Sequence, residues 1–179
     1  MKFFSNIRLL VLAVWFGAAV FFIGVAQNAF AVLSQQRELA GAVVNSNLTL
    51  LNYAGMAIAA FLLLTSVIAT ASMSKFWLWV ERFLLLFMGA ACAVGQFVVG
   101  FWLSSVRAQM GKPVDEIAAE DPLRIQFNML HEYSVWVLMT GMVAALIVFF
   151  IISSRKFGLV KPEKTEKADI YDFSKEFKV

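Results

Sequence analysis

Four apolar runs dominate the chain, at about residues 8–33, 48–71, 77–104 and 124–152. Each exceeds the roughly 20 residues that a helix needs to cross a bilayer. Polar positions gather between them. Residues 34–47, SQQRELAGAVVNSN, are too polar to span and predict a short outer helix or hairpin. Residues 72–76 read as a tight turn. Residues 105–123, SVRAQMGKPVDEIAAEDPL, read as a larger outer loop broken by Gly111 and Pro113, with Pro122 placed to start the last helix. From Arg155 the pattern turns abruptly to mixed charge. The expected fold is an all-α membrane protein: a four-helix transmembrane bundle over residues 1–154, then a charged tail at 155–179. In that tail Ile170, Phe173 and Phe177 recur at helical spacing, but the composition favours a solvated segment over a helix lying on the membrane.

Composition supports the class. The 179 residues are 61% hydrophobic and 15% charged, whereas soluble domains are about a quarter charged. Mean hydropathy is +0.77. The charges also set an orientation. Lys2, Arg8, Lys75, Arg82 and the basic residues of the tail fall on one side, against Arg37, Arg107, Lys112 and Arg124 on the other. The positive-inside rule then predicts both termini in the cytoplasm and a multi-pass protein of the cell (inner) membrane. Trp77 and Trp79 fit the inner interfacial belt and Trp102 the outer one. The pI of about 9.1 is thus an orientation signal and gives no reason to expect nucleic acid as a partner. The partner expected is the lipid bilayer, with room for a homo-oligomer or partner membrane subunits. Lys2 and Arg8, the run that follows and AFA at 29–31 resemble a signal peptide. That run is longer than the usual h-region of about 7–15 residues, so the first helix is expected to be retained.

Polar residues inside the spans carry the candidate chemistry. Membrane helices associate through small residues and polar contacts. Each span has a small pair: Ala13 with Gly17, Gly55 with Ala59, Ala91 with Gly95, Gly141 with Ala145. Each also has an amide or ring nitrogen: Gln27 and Asn28, Asn52, Gln96, and Asn128 with His131, the only histidine. At about 100° per residue, Asn28 shares a face with Gly24, Gly17 and Ala13, and His131 with Arg124, Ser134 and Ala145. These alignments predict a polar layer facing the bundle interior, roughly 7–15 Å below the outer boundary. Glu132 falls at the edge of that face. Ionisable groups within spans usually mark a pathway or a ligand, whereas amides also serve as plain hydrogen-bonding glue.

Several chemistries are disfavoured. One histidine cannot make a bis-histidine haem, and a zinc enzyme needs three protein ligands that the spans do not supply. No nucleophile–base set or phosphate loop stands out. The single cysteine, Cys92, allows no internal disulfide. The expectation is therefore a protein without enzymatic activity or cofactor, its metal chemistry left open. One reading is binding or passage of a small polar ligand, cation or proton at the polar layer. The other is an accessory or assembly subunit of a larger membrane complex, with the layer as glue.

Two stretches, WFGAAVFF…AQNAFAVL in the first span and EDPLRIQFNMLHEYS leading into the fourth, resemble the transmembrane-protein-205-like family over about residues 8–152. The most specific pieces are Phe127, Leu130, His131 and Ser134, then Trp15, Gly17 and Phe21. Gln27 departs from the proline often found at that place. The resemblance implies an integral membrane protein of four helices, a link to resistance against metal compounds, and a distant likeness to copper-resistance membrane domains.

Overall fold

A computed structural model describes residues 2–68 and 75–154. Its helices are α1 (Lys2–Val32), α2 (Arg37–Ile68), α3 (Lys75–Ala93), α4 (Gly100–Met110) and α5 (Pro122–Ser153). A π-helical stretch, Val94–Val99, joins α3 to α4 in one continuous rod. The result is four rods, each long and apolar enough to cross a membrane, and no strand among the described residues. This is the build of a multi-pass membrane protein. Successive rods alternate in direction. Contacts run α1 to α2, α2 to α3, α3 to α5 and α5 to α1, so α1 and α3 stand on a diagonal. The starts of α1 and α3 and the ends of α2 and α5 share one end, the base. The α1–α2 turn and the loop at 111–121 mark the distal end. The charged tail lies outside the described residues, as does most of the turn expected at 72–76, where Lys75 and Phe76 already open α3.

Two boundaries differ from expectation. Residues 37–47 are not a separate outer helix or hairpin but the first turns of α2. The polar residues there rule out burial in lipid, yet they do not rule out helix. Gly41 costs only about 1 kcal/mol relative to alanine, and the run holds no proline. Residues 105–110 likewise continue α4, which stops at Gly111 in the left-handed conformation (φ 63°) that favours glycine after a helix. Pro122 does open α5, where the Asp121 carboxylate accepts a hydrogen bond from the Leu123 amide at 2.8 Å.

Close approach of the rods is concentrated at one crossing. The Trp15 indole donates to the Leu51 carbonyl at 3.0 Å, reaching across α2 where Gly55 has no side chain to block it. A Cβ at Gly55 would lie 2.5 Å from Cys92 Sγ and 2.9 Å from Trp15 Nε1. Leu12, Leu62, Leu85, Met88, Ala145 and Val148 extend this core toward the base. Gly55→Ala is therefore expected to lower stability by about 1–3 kcal/mol, as overpacking does, visible as a lower Tm in detergent. Gly17→Ala, where a Cβ would meet nothing within 4 Å, should leave Tm unchanged or raise it.

That contrast marks a correction. Three of the four small-residue pairs face inward as expected, but Ala13 and Gly17 of α1 are exposed. The buried stripe of α1 is instead Ser5, Arg8, Leu12, Trp15 and Ala19. Trp15 and Arg8 bond to groups inside the bundle, and those bonds set the rotation of the helix. Asn28, about 180° from Ala19 at 100° per residue, is turned outward with Gly17 and Gly24.

Buried polar groups also lie outside the predicted layer. Arg8 and Glu81 form an ion pair near the base at 2.5 Å, with side-chain exposures of 1% and 0%. Arg8 also donates to the Leu62 carbonyl at 3.1 Å, so α1, α2 and α3 are fastened at one point. Beside it, Arg82 donates to the Ser66 hydroxyl at 3.1 Å.

Candidate functional site

At the distal end the rods part. Val106, Met110 and Leu130 pack α4 onto α5, with Val114 and Ile117 of the loop folded over them. The extension of α2 stands off from this pair and leaves a cleft with two adjoining chambers. The upper chamber, about 340 Å³, lies between α2, α4 and α5. The lower one, about 310 Å³, lies between α2 and the π-helical stretch. They share Asn45, Leu48, Gly100, Leu103, Ser104 and Ser134 in their walls.

Each wall of the upper chamber is one stripe of a helix. Gly41, Asn45 and Leu48 on α2, Gly100, Ser104 and Arg107 on α4, and Phe127, His131 and Ser134 on α5 all recur at i, i+4 and i+7, which is one helical face. The α5 and α4 stripes touch: the His131 ring stacks on Phe127 with centroids 6.5 Å apart and planes at 4°, and the Arg107 guanidinium sits 5.9 Å over the Phe127 ring. Gly41 makes room for that guanidinium, because a Cβ there would lie 3.1 Å from Arg107 Nη2. Arg124 donates to the Ile117 carbonyl at 2.5 Å, and Arg37 pairs with Asp115 at 3.3 Å.

The π-helical stretch supplies the lower chamber with Gly95, Gln96 and Phe97. Its wide turn is closed by the Gly100 amide bonding the Gly95 carbonyl, a five-residue step. Such insertions are rare and occur often at functional sites. Asn52, 4% exposed, faces it from α2, with its amide nitrogen 3.5 Å from where a Gly95 Cβ would be.

The tryptophans give the depth. Trp79 and Trp102 are exposed on the same rod and lie roughly 34 Å apart at 1.5 Å per residue, close to the ~30 Å of a hydrocarbon core. Taking Trp102 as the distal boundary, Arg107 stands roughly 7 Å above it and Gln96 roughly 9 Å below. His131, one turn below the level of Phe127 and Arg107, is near the boundary itself, where an imidazole stays hydrated.

The predicted site residues therefore separate. His131 and Asn128 line the upper chamber, and Asn52 and Gln96 the lower. Gln27 and Asn28 are exposed on α1 and line neither; α1 contributes Phe30 to the upper wall instead. Glu132 is exposed and also lines neither. Arg124 was already on the His131 face, but Arg37 and Arg107 were hidden by cutting the helices at 48 and 104. Once α2 and α4 are extended, Gly41 and Arg107 fall onto the stripes already identified. Among the described residues no group of three histidine, cysteine or carboxylate side chains is placed to hold a metal ion.

No curated protein and no solved structure matches the chain. A family does match, and the match does not itself point to the transmembrane-protein-205-like group suggested by the α1 and α5 stretches. The match covers residues 10–112, which hold most of α1, all of α2 and α3, the π-helical stretch and α4. The chain belongs to the DUF4149 family, a domain of unknown function.

Proposed function

We propose that this protein is a non-catalytic membrane binding protein that receives a small polar ligand in the distal cleft, which faces outward from the cell (inner) membrane. The observation that carries this reading is the convergence of polar stripes from α2, α4 and α5 on one cleft, while the interior below is closed by the apolar core and, near the base, by the Arg8–Glu81 pair. Passage of the ligand through the bundle would have to cross the sealed core around Leu12, Leu85 and Met88, so binding or sensing fits better than a channel. The arginines in the wall favour a polar or anionic ligand over a cation. The test is His131→Ala alongside Asn52→Ala. Both should change ligand sensitivity of cells more than membrane abundance; a collapse in abundance with sensitivity unchanged would make these residues structural.

A second reading, an accessory subunit of a larger complex, draws on the outward stripe of α1. A Cβ added at Gly17 or Gly24 would meet nothing within 4 Å among the described residues, and small residues are what a partner membrane helix packs against. Mass measurement after purification in gentle detergent separates the two: a stoichiometric companion favours this reading, a lone bundle the first.

A further inference from the structure

The upper chamber carries a charge excess. Arg37 and Asp115 on its wall neutralise each other. Arg107 and Arg124 have no carboxylate within ion-pair distance among the described residues. Arg107 is fixed by an aromatic ring on one face and the glycine gap of α2 on the other, and its Nε is buried without a hydrogen-bond partner. Arg124 is oriented by a neutral carbonyl, which leaves its charge unspent. Glu38 is the other carboxylate on this wall, so two arginines face one acid. Guanidinium groups held in place with donors to spare are suited to bidentate binding of phosphate or carboxylate.

The lower chamber differs. One side of it is apolar, formed by Leu48, Leu103, Phe97 and Phe101, and faces the polar side of Thr49, Asn52 and Gln96; Phe97 and Phe101 are also exposed on the outer surface of the rod. It reaches acyl-chain depth, while the arginines stand at headgroup height. A soluble anion would fill only the top of such a cleft.

We infer that the cleft takes an anionic amphiphile: its phosphate or carboxylate head lies between Arg107 and Arg124 beside His131, and its alkyl chain descends past Leu103 toward Phe97 and the bilayer. This rests on the reading of the cleft as a ligand site and names the class of ligand. The head satisfies the buried Arg107 nitrogen, and the Leu48, Leu103, Phe97 and Phe101 side of the lower chamber covers the chain, so both chambers are used by one molecule.

The full chain in neutral detergent would be titrated with short-chain phosphatidic acid, the matching phosphatidylcholine, and inorganic phosphate alone, with bound species counted by native mass spectrometry. Phosphatidic acid is expected to bind at least about tenfold more tightly than phosphatidylcholine, with Arg107→Gln and Arg124→Gln each weakening it by about 10- to 100-fold. Arg107→Lys, which retains a charge but not the planar fork, should fall between. The Tm of each variant without added lipid checks that the bundle is intact. Equal binding of the two lipids, still weakened by Asn52→Ala, would overturn the anionic class while leaving the cleft a ligand site. Displacement of the lipid by inorganic phosphate alone would overturn the amphiphile in favour of a soluble anion. Binding of none of the probes would remove this inference, and unchanged ligand sensitivity in His131→Ala and Asn52→Ala would remove the site with it.

Discussion

Replacing Glu81 by leucine is expected to cost the bundle about 3–5 kcal/mol, the range for removing one partner of a buried ion pair. Glu81 is 0% exposed and Arg8 1%, with their charged atoms 2.5 Å apart. Leucine removes the acid from beside a guanidinium held in a low-dielectric interior, where loss of a charge partner is costly. Arg8 also grips the Leu62 carbonyl, so it cannot swing to water without releasing α2. The loss is a large share of the roughly 5–15 kcal/mol that holds a folded domain. It should appear as a sharp fall in folded yield and Tm. The double variant Arg8→Met with Glu81→Leu removes both charges and keeps the volume, and should recover most of the loss. A single Glu81→Leu variant with wild-type Tm would show that the pair does not hold the rods together. A double variant as unstable as the single would assign the pair a role beyond charge balance.

That pair also shows what the sequence made legible and what it hid. Apolar run length reveals the four rods, because lipid demands uninterrupted helix whatever the side-chain detail. It does not reveal rotation. In lipid, small and large apolar faces are nearly equivalent, so the Ala13–Gly17 stripe looked as good an interior face as the Leu12–Trp15 one. Rotation is decided by the few groups that need partners, here the Trp15 indole and the Arg8 guanidinium. Arg8 reads naturally as a base-side flanking charge. Its meaning appears only beside Glu81, the one acid inside the third run. α1 begins at Lys2 and α3 at Lys75, so Arg8 and Glu81 are both six positions in from the base and meet at one height. The candidate site was legible in the same uneven way. The stripes of Asn52, Gln96 and His131 could be followed inside the apolar runs. Gly41 and Arg107 could not, because hydropathy marks where lipid ends and says nothing about where a helix ends. The π-helical turn at Val94–Val99 left no proline or charge as a sign, only glycines at 95 and 100.

Ser134→Trp should cut binding of phosphatidic acid by about 100-fold, roughly 2.8 kcal/mol at 1.4 kcal/mol per decade. Ser134 projects from α5 into the wall shared by the two chambers, half-buried and with no side-chain partner to lose among the described residues. An indole there occupies the passage between the arginines and the lower chamber, so a head seated on Arg107 and Arg124 could no longer send its chain downward. The protein itself should not suffer. The new ring fills existing space and buries apolar surface, which holds Tm constant or raises it. Val143→Trp, at a position of the same helix that is 54% exposed to lipid, adds the same bulk without entering the cleft and should bind normally. The comparison separates occupancy of the cleft from mere presence of a tryptophan on α5. If Ser134→Trp bound phosphatidic acid as the wild type does, the two chambers would not form one path, and the arginines and the lipid-depth slot would have to serve different purposes.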